Sequence, residues 1–449
     1  MSGECFTPLR DVNDDADSDG LFAALATLAE PLGGGGDELE QPGRLLEVLS
    51  AVGDRRDPRG VRHAMASVLA TAVAALACAE TSLTAIGHWA KLAEANNQAL
   101  LGALGTRVNP ATGRYQAPHA DTFDRILTAV DAQSLDDVSG EWMLARLAET
   151  RRPSPRDPLA PDATVEPTET AADPPRRPAF AVDGKALKST IDADGNIVHL
   201  LSAFDHQVGV TFAQRQVDTK SNEITGFRPL IEGRDLRGWV ATMDALHTQR
   251  SHVTFCHDNG IDVIMIAKDN QPHLFNSLDA INWRDIPISH RVAERGHGRH
   301  EIRTIQITDA PPDLRFEHMS QAFLVERYTS RPVRKNGKTT RVETAVAVLG
   351  VTTLTPTNSI PEHVATYIRG HWGVENKSHY VRDVTYREDA SRVGRADKPR
   401  VMATLRNIAI SLIRLAGYTT IAPTTRALRY STDQLTAVLG LRLQPNNGP

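Results

Sequence analysis

The stretch AFAVDGKALKSTIDADGNIVHLLSAFDHQVGVTFAQRQV, residues 179–217, decides the fold. Before it the apolar residues recur at helical spacing; here the period shortens. AFAVDG (179–184), IVHLLSAFD (197–205) and GVTFAQRQV (209–217) are short, rich in β-branched and aromatic residues, and bounded by Gly or Asp. They are predicted as three strands, the first two separated by a turn at Asp194–Gly195. Beyond them come a helical stretch from about 221 to 233, a buried strand GWVATMDAL (238–246) running into a helix, and a strand DVIMIAKDN (262–270). Residues 284–352 read as β-rich, with strands in HEIRTIQIT, AFLVERYTS and ETAVAVLGV, and residues from about 361 to 440 as helical. The order implies an α/β core interrupted once by a β-rich insert.

Upstream, residues 43–148 carry helical spacing through LLEVLSAV, AMASVLATAVAALA, LTAIGHWAKLA and TFDRILTAVD, so an all-helical N-terminal domain is expected. Residues 149–178 are rich in Pro, Asp, Thr and Arg and read as an extended linker. Residues 1–42 are acidic and Gly-rich, a composition expected to stay unfolded. The core is expected over 179–420 and a last helix and tail over 421–449. At 449 residues, 41% hydrophobic and 23% charged, the chain has room for two or three globular domains. The most apolar run, AMASVLATAVAALACAE (64–80), is too short and Ala-rich for a membrane span and reads as a buried helix. The acidic N-terminus lacks the basic start of a signal peptide, and Cys5, Cys78 and Cys256 have no metal-type spacing. A cytoplasmic protein of a reducing compartment is expected.

The net charge of −5 hides an asymmetry. Residues 1–60 hold 13 acidic and 5 basic side chains, a balance of −8, while residues 363–449 hold 13 basic and 6 acidic, a balance of +7. The C-terminal segment therefore suits either a phosphate partner or an ordinary basic surface.

Two aspartates close apolar strands: Asp183 in AFAVDGKALK and Asp244 in GWVATMDALHTQ. An open α/β sheet presents ligand groups at such strand ends, although either residue alone also suits a turn or a helix cap. Glu375, in RGHWGVENKSHYVRDVTYREDASR (369–392), supplies a third carboxylate from a helix. Three such oxygens suit hard cations, Mg²⁺ with Mn²⁺ as a substitute, and a pair of ions can activate a hydroxyl against a phosphodiester. Trp372 is expected to pack this helix, with His371, Asn376, His379 and Arg382 flanking the site and facing phosphate; all five are candidates for DNA binding. Asp383, Glu388 and Asp389 lie two or more turns on and are expected to pair with Arg387 and Arg392.

VDGKALKST, VHLLSAFDHQVG, DTKSNEIT, TMDALHTQ, IAKDNQ, ERGHGRHEIRTI and HWGVENKSHYVRDVTYREDASR occur in that order, and together they resemble the bacterial DDE-type insertion-sequence transposases of the H-repeat-associated branch. The helical stretch and PHADTFDRIL (118–127) resemble the segment that precedes the core in that branch, so the resemblance covers about residues 43–416. It implies an RNase H-like mixed sheet with flanking helices and a β-rich insertion. It also implies a catalytic, metal-holding triad of Asp183, Asp244 and Glu375 and two metal ions. The implied partner is double-stranded DNA, both terminal inverted repeats and target, bound by a homodimer in the nucleoid. Relatives carry a Tyr-Arg-Glu-Lys signature; here His371 and Arg382 stand at its Arg and Lys positions and Tyr367 is one residue out of register.

Other candidates for DNA are Lys185 and Lys188 after Asp183, His247 and Gln249 after Asp244, and Lys268, Asn270 and Gln271 at a strand end. ERGHGRHEIR (294–303) suits a hairpin gripping a backbone, or an exposed turn. Two other readings remain beside a transposase: a nuclease with the same site that does not join, and a domesticated DNA-binding protein without catalysis.

Overall fold

The computed structural model describes residues 44–54, 56–151, 173–191, 195–218, 223–296, 298–335, 338–391, 393–394 and 397–443. The expected acidic segment, most of the expected linker and Asp194 lie outside these residues. Nine strands form one mixed sheet: β1 (Ala179–Ile191), β2 (Ile197–Asp205), β3 (Thr211–Val217), β4 (Val240–Met243), β5 (Asp262–Ala267), β6 (His290–Gly296), β7 (Arg299–Asp309), β8 (Gln321–Lys335) and β9 (Lys338–Thr352). Their order is 3-2-1-4-5-9-8-7-6. β1 runs antiparallel to β2 and parallel to β4, and β4 parallel to β5; β9 then meets β5 antiparallel. The insert is therefore four strands added to the open edge of the same sheet. All four residues of β4 are buried, which is why VATM is uniformly apolar apart from one Thr.

The helical segment comprises α1 (Leu45–Ser50), α2 (Met65–Ala77), α3 (Leu83–Asn96), α4 (Gln98–Ala103), α5 (Ala120–Ala129) and α6 (Ala132–Thr150). It is continuous with the core rather than a separate lobe. Val68 and Leu69 of α2 and Phe123 of α5 share one apolar cluster with Phe180 and Phe212 of the sheet and with Leu405 of the helix Lys398–Leu415. All 13 residues of α2 are buried, and small alanines let its neighbours approach. Gly140 of α6 sits so near β3 that a Cβ there would lie 2.4 Å from the Phe212 carbonyl oxygen.

The remaining helices are α7 (Glu223–Ile231), α8 (Arg250–Asp258), α9 (Pro272–Asp279), α10 (Pro361–His371), α11 (Tyr380–Val384), α12 (Lys398–Leu415), α13 (Ile421–Leu428) and α14 (Thr432–Val438). A polar network crosses the core. Asp136 of α6 accepts from Arg400 Nε at 2.7 Å and from Gln214 Nε2 at 3.1 Å, and Asn407 Nδ2 donates to Gln214 Oε1 at 2.9 Å. Burial pushes the Asp136 carboxyl up to about 6 against the pull of Arg400.

The positive balance of the C-terminal segment is spent partly inside the molecule: Arg382, Arg406, Arg414 and Lys398 are all buried. Glu388, 2% exposed, accepts from Arg382 Nε and from Arg406 Nη1, each at 2.8 Å. Burial works against the charged Glu388, but the two guanidiniums hold its carboxyl below the ordinary range. Asp383 and Asp389 likewise pair across the fold, with Lys185 and Lys188; among the described residues no ion pair joins them to Arg387, and Arg392, the other expected partner, lies outside the described residues. The expected continuous helix does not exist here, because Arg387 takes a left-handed conformation (φ 51°) that turns the chain back on itself.

Glu388→Ala would leave two buried guanidiniums without a counter-charge. Denaturant unfolding should show a loss of ~3–5 kcal/mol, and a loss below ~1 kcal/mol would mean the triad is solvated.

Candidate functional site

Side chains alternate along a strand, so Ala179, Ala181 and Asp183 share one face of β1, and Val240, Thr242 and Asp244 one face of β4 and its continuation. The register sets Val182 opposite Met243. The aspartates, one residue further on, therefore end two adjacent parallel strands and share a face. That face is covered by α10, through Val364 and Tyr367 against Ala179 and Val240, and by Val374 against Ala181 and Phe204. Val374 opens a π-helical turn, Val374–His379, that follows α10 and carries Glu375 into solvent beside the strand ends.

Burial, the adjacent Asp244, then Glu223 and Glu375, push the Asp183 carboxyl up to about 7 against the Gly184 N–H that it accepts at 2.9 Å. This is crowded negative charge that a cation would relieve. Asp244 Oδ1 accepts from the His247 N–H at 3.1 Å, which fixes the turn after β4. Among the described residues no three His, Cys, Asp or Glu side chains already converge on one point suited to a metal. The donor set is still all carboxylate and suits a hard divalent ion, with Glu375 exposed beside the strand ends.

Two connections brace the site from behind. Lys185, 6% exposed, sits two residues past Asp183 and donates to both carboxylate oxygens of Asp383 at 2.7 Å, which ties β1 to α11. Thr242 Oγ1 donates to the Phe180 carbonyl oxygen at 3.1 Å and meets His206 Nε2 at 3.0 Å and His371 Nδ1 at 3.1 Å. With the hydroxyl proton directed to Phe180, both histidines donate to Thr242. Burial lowers His371, and burial, His371 and Lys377 bring His206 down to about 3.

The other expected site residues divide by exposure. Asn376 and Trp372, the latter 46% exposed, stand beside Glu375 on the open surface. Trp372 does not pack the helix as expected, because it ends α10 facing outward. Lys268 and Asn270 are exposed at the end of β5, with Asn270 Nδ2 donating to the Ala245 carbonyl at 2.5 Å, next to Asp244. Lys188 is exposed and pairs with Asp389 at 3.2 Å. Gln249 and Gln271 bind backbone carbonyls of the turn after β4. Arg382, His247 and Lys185 are buried, so they hold the scaffold and offer no surface to DNA. His379 is also buried, with Nδ1 3.5 Å from Asp183 Oδ2. The hairpin of β6 and β7 lines a cavity of about 530 Å³ with Arg295, Arg299 and Arg303, which Arg369 of α10 joins. Glu294 binds Arg369 there at 2.6 and 2.8 Å.

One acid escaped the sequence reading. Glu223, the first residue of α7, is 5% exposed and lies against Gly184. It stands in DTKSNEIT, a polar stretch with no periodicity to mark it.

The Transposase DDE domain family matches residues 174–412, more than half of the chain, and the DDE_Tnp_1-associated family matches residues 46–143. The chain belongs to the transposase DDE domain family. Putative protein YbfL of Escherichia coli strain K12 is 30% identical over 244 residues, 52% of this chain and 63% of that protein. H repeat-associated putative transposase YhhI of the same strain gives the same figures. Putative transposase YncI of Escherichia coli O157:H7 is 23% identical over 384 residues, 82% of this chain and 87% of that one. The alignment thus spans under two thirds of the length of the first two relatives. Among the described residues no helix is long and apolar enough to cross a membrane.

A histidine whose folded value lies below its ordinary one must lose a proton on folding in acid, so the stability it permits is complete above about 6.5 and falls as the pH drops towards about 3. His206→Gln keeps a donor to Thr242 without the charge. Between pH 7 and pH 5 its unfolding free energy should fall less than that of the wild type, by ~2 kcal/mol; parallel slopes would show that His206 is solvated.

Proposed function

We propose that this protein is a DDE transposase that binds the ends of an insertion sequence, cleaves the DNA there and joins the new 3′-hydroxyl to target DNA. The observation that carries the reading is the shared face of Asp183, Asp244 and the Glu375 turn, where carboxylates crowd one another with no lysine or arginine paired to them among the described residues. The strand order 3-2-1-4-5, antiparallel then parallel, suits an RNase H-like core extended at its edge. Asp183, Asp244 and Glu375 would hold two divalent ions, Mg²⁺ or Mn²⁺, and such ions when bound lower the pKa of the attacking hydroxyl and stabilise the departing 3′-oxygen. In each in-line displacement the attacking oxygen forms a P–O bond as the bond to the 3′-oxygen breaks, so joining needs no external energy source.

The chain's own part is positioning. Lys185–Asp383 and the Glu388 triad fix the two carboxylate-bearing elements. Trp372, Asn376, Lys268 and Lys188 line the open side, where an indole can stack on an unpaired base and the lysines can meet phosphate. The helical segment of residues 45–150 is assigned to the terminal repeats, and a homodimer would hold both ends.

The test is cleavage and joining of a duplex bearing the element's own ends, with Mg²⁺, Mn²⁺ or a chelator. Asp183→Asn, Asp244→Asn and Glu375→Gln should each lower both steps by roughly 10²-fold or more with end binding retained. Cleavage without joining would make the protein a nuclease, and binding without cleavage in either metal a domesticated binder. In the same assay Trp372→Ala should weaken binding of ends with unpaired flanks by ~1–3 kcal/mol and leave fully paired duplex unaffected.

A further inference from the structure

Glu223 is 5% exposed, yet no lysine or arginine among the described residues neutralises it. The nearest cationic candidate is His247, 1% exposed, whose Nε2 stands 3.7 Å from Glu223 Oε2, beyond hydrogen-bond distance. Both ring nitrogens of His247 lack a hydrogen-bond partner. A buried glutamate beside a buried, unsatisfied imidazole is costly for a fold to keep without a ligand.

The placement of Glu223 is specific. Its carboxylate occupies the space that a side chain at residue 184 would fill: a Cβ on Gly184 would lie 2.3 Å from Oε1 and 2.7 Å from Oε2. Glycine next to Asp183 thus opens a passage through which a helix on the far face of β1 reaches the strand end. Glu223 is near enough for its charge to act on Asp183, as Asp244 and Glu375 do. A fourth carboxylate would also balance the four positive charges of two divalent ions, which three leave short by one.

We propose that Glu223 is a fourth carboxylate ligand of the metal site, supplied across Gly184, with His247 as the positioning residue behind it. The inference rests on the reading of Asp183, Asp244 and Glu375 as metal-holding. His247 orients the Glu223 carboxylate once an ion draws it forward, and Gly184 keeps the path clear.

The experiment is Mn²⁺ titration of the full-length protein followed by the electron paramagnetic resonance signal of free Mn²⁺, together with melting temperatures with and without the ion. Wild type, Glu223→Gln, Gly184→Ala and Asp183→Asn are compared. Glu223→Gln should bind Mn²⁺ more weakly by roughly tenfold or more. It should also melt higher than wild type without metal, because a buried charge is gone, and gain less from Mn²⁺. Gly184→Ala, which removes no carboxylate but displaces Glu223, should weaken Mn²⁺ in the same direction. If Glu223 merely pairs with a charged His247, Glu223→Gln melts lower without metal and binds Mn²⁺ like wild type, and the proposal falls. If Asp183→Asn loses Mn²⁺ while both Glu223→Gln and Gly184→Ala retain it, the three-carboxylate site stands and Glu223 is no part of it. A wild type that binds no Mn²⁺ overturns both readings.

Discussion

The parallel register of β1 on β4 is the constraint on which everything at this site depends. With Val182 opposite Met243, the two aspartates that follow emerge together on one face. A slip of one residue would send one carboxylate to the opposite face, because strand side chains alternate. The surrounding packing enforces the register. Phe180 and Val182 sit in the large core beneath the N-terminal helices, while Ala179 and Val240 pack under Val364 and Tyr367 of α10. Tyr367 adds a polar pin, its hydroxyl donating to the Arg177 carbonyl oxygen at 3.1 Å and accepting from the Arg177 N–H at 2.9 Å just before β1. A residue that stands one place out of register with the family signature thus secures the start of the central strand.

The same economy governs charge. The acids at the strand ends repel one another, and that repulsion is tolerable because the ion pairs behind them are complete. Lys185 is committed to Asp383, and Arg382 with Arg406 to Glu388. The cation nearest to Asp183 along the chain, Lys185, is therefore unavailable to quench it. Asp183 is left beside the other carboxylates and His379, with no lysine or arginine paired to it among the described residues.

How much of this was legible in the sequence follows from which forces act locally. The strand in IVHLLSAFD was readable because burial imposes an apolar pattern along it, and that in AFLVERYTS from its buried start at Ala322 and Phe323. β6 was legible only at its end, through the hairpin reading of ERGHGRHEIR, since it alternates between half-exposed and exposed positions at the sheet edge and carries almost no hydrophobic signal. Asp183 and Asp244 were visible as lone acids ending apolar strands. Glu223 was hidden, because its neighbours are polar and its meaning lies in the absence of a side chain at Gly184, 39 residues earlier (223 − 184 = 39). Arg382 shows the opposite failure. A charged residue in a charged stretch reads as surface, and only the tertiary placement of Glu388 and Arg406 makes burial possible.

The π-helical turn at Val374–His379 makes the site sensitive to counting as well as to chemistry. A turn closed by i→i+5 bonds holds one residue more than an ordinary helical turn. Each residue of helix advances the chain by about 100° around its axis, so the surplus residue sets the angle between Glu375 and everything that follows it. Deleting a single residue there would change the angle between Glu375 and the segment that carries both Arg382 and Glu388, while leaving every named side chain present. Across relatives, the length of this short segment should consequently be held more strictly than most of its letters.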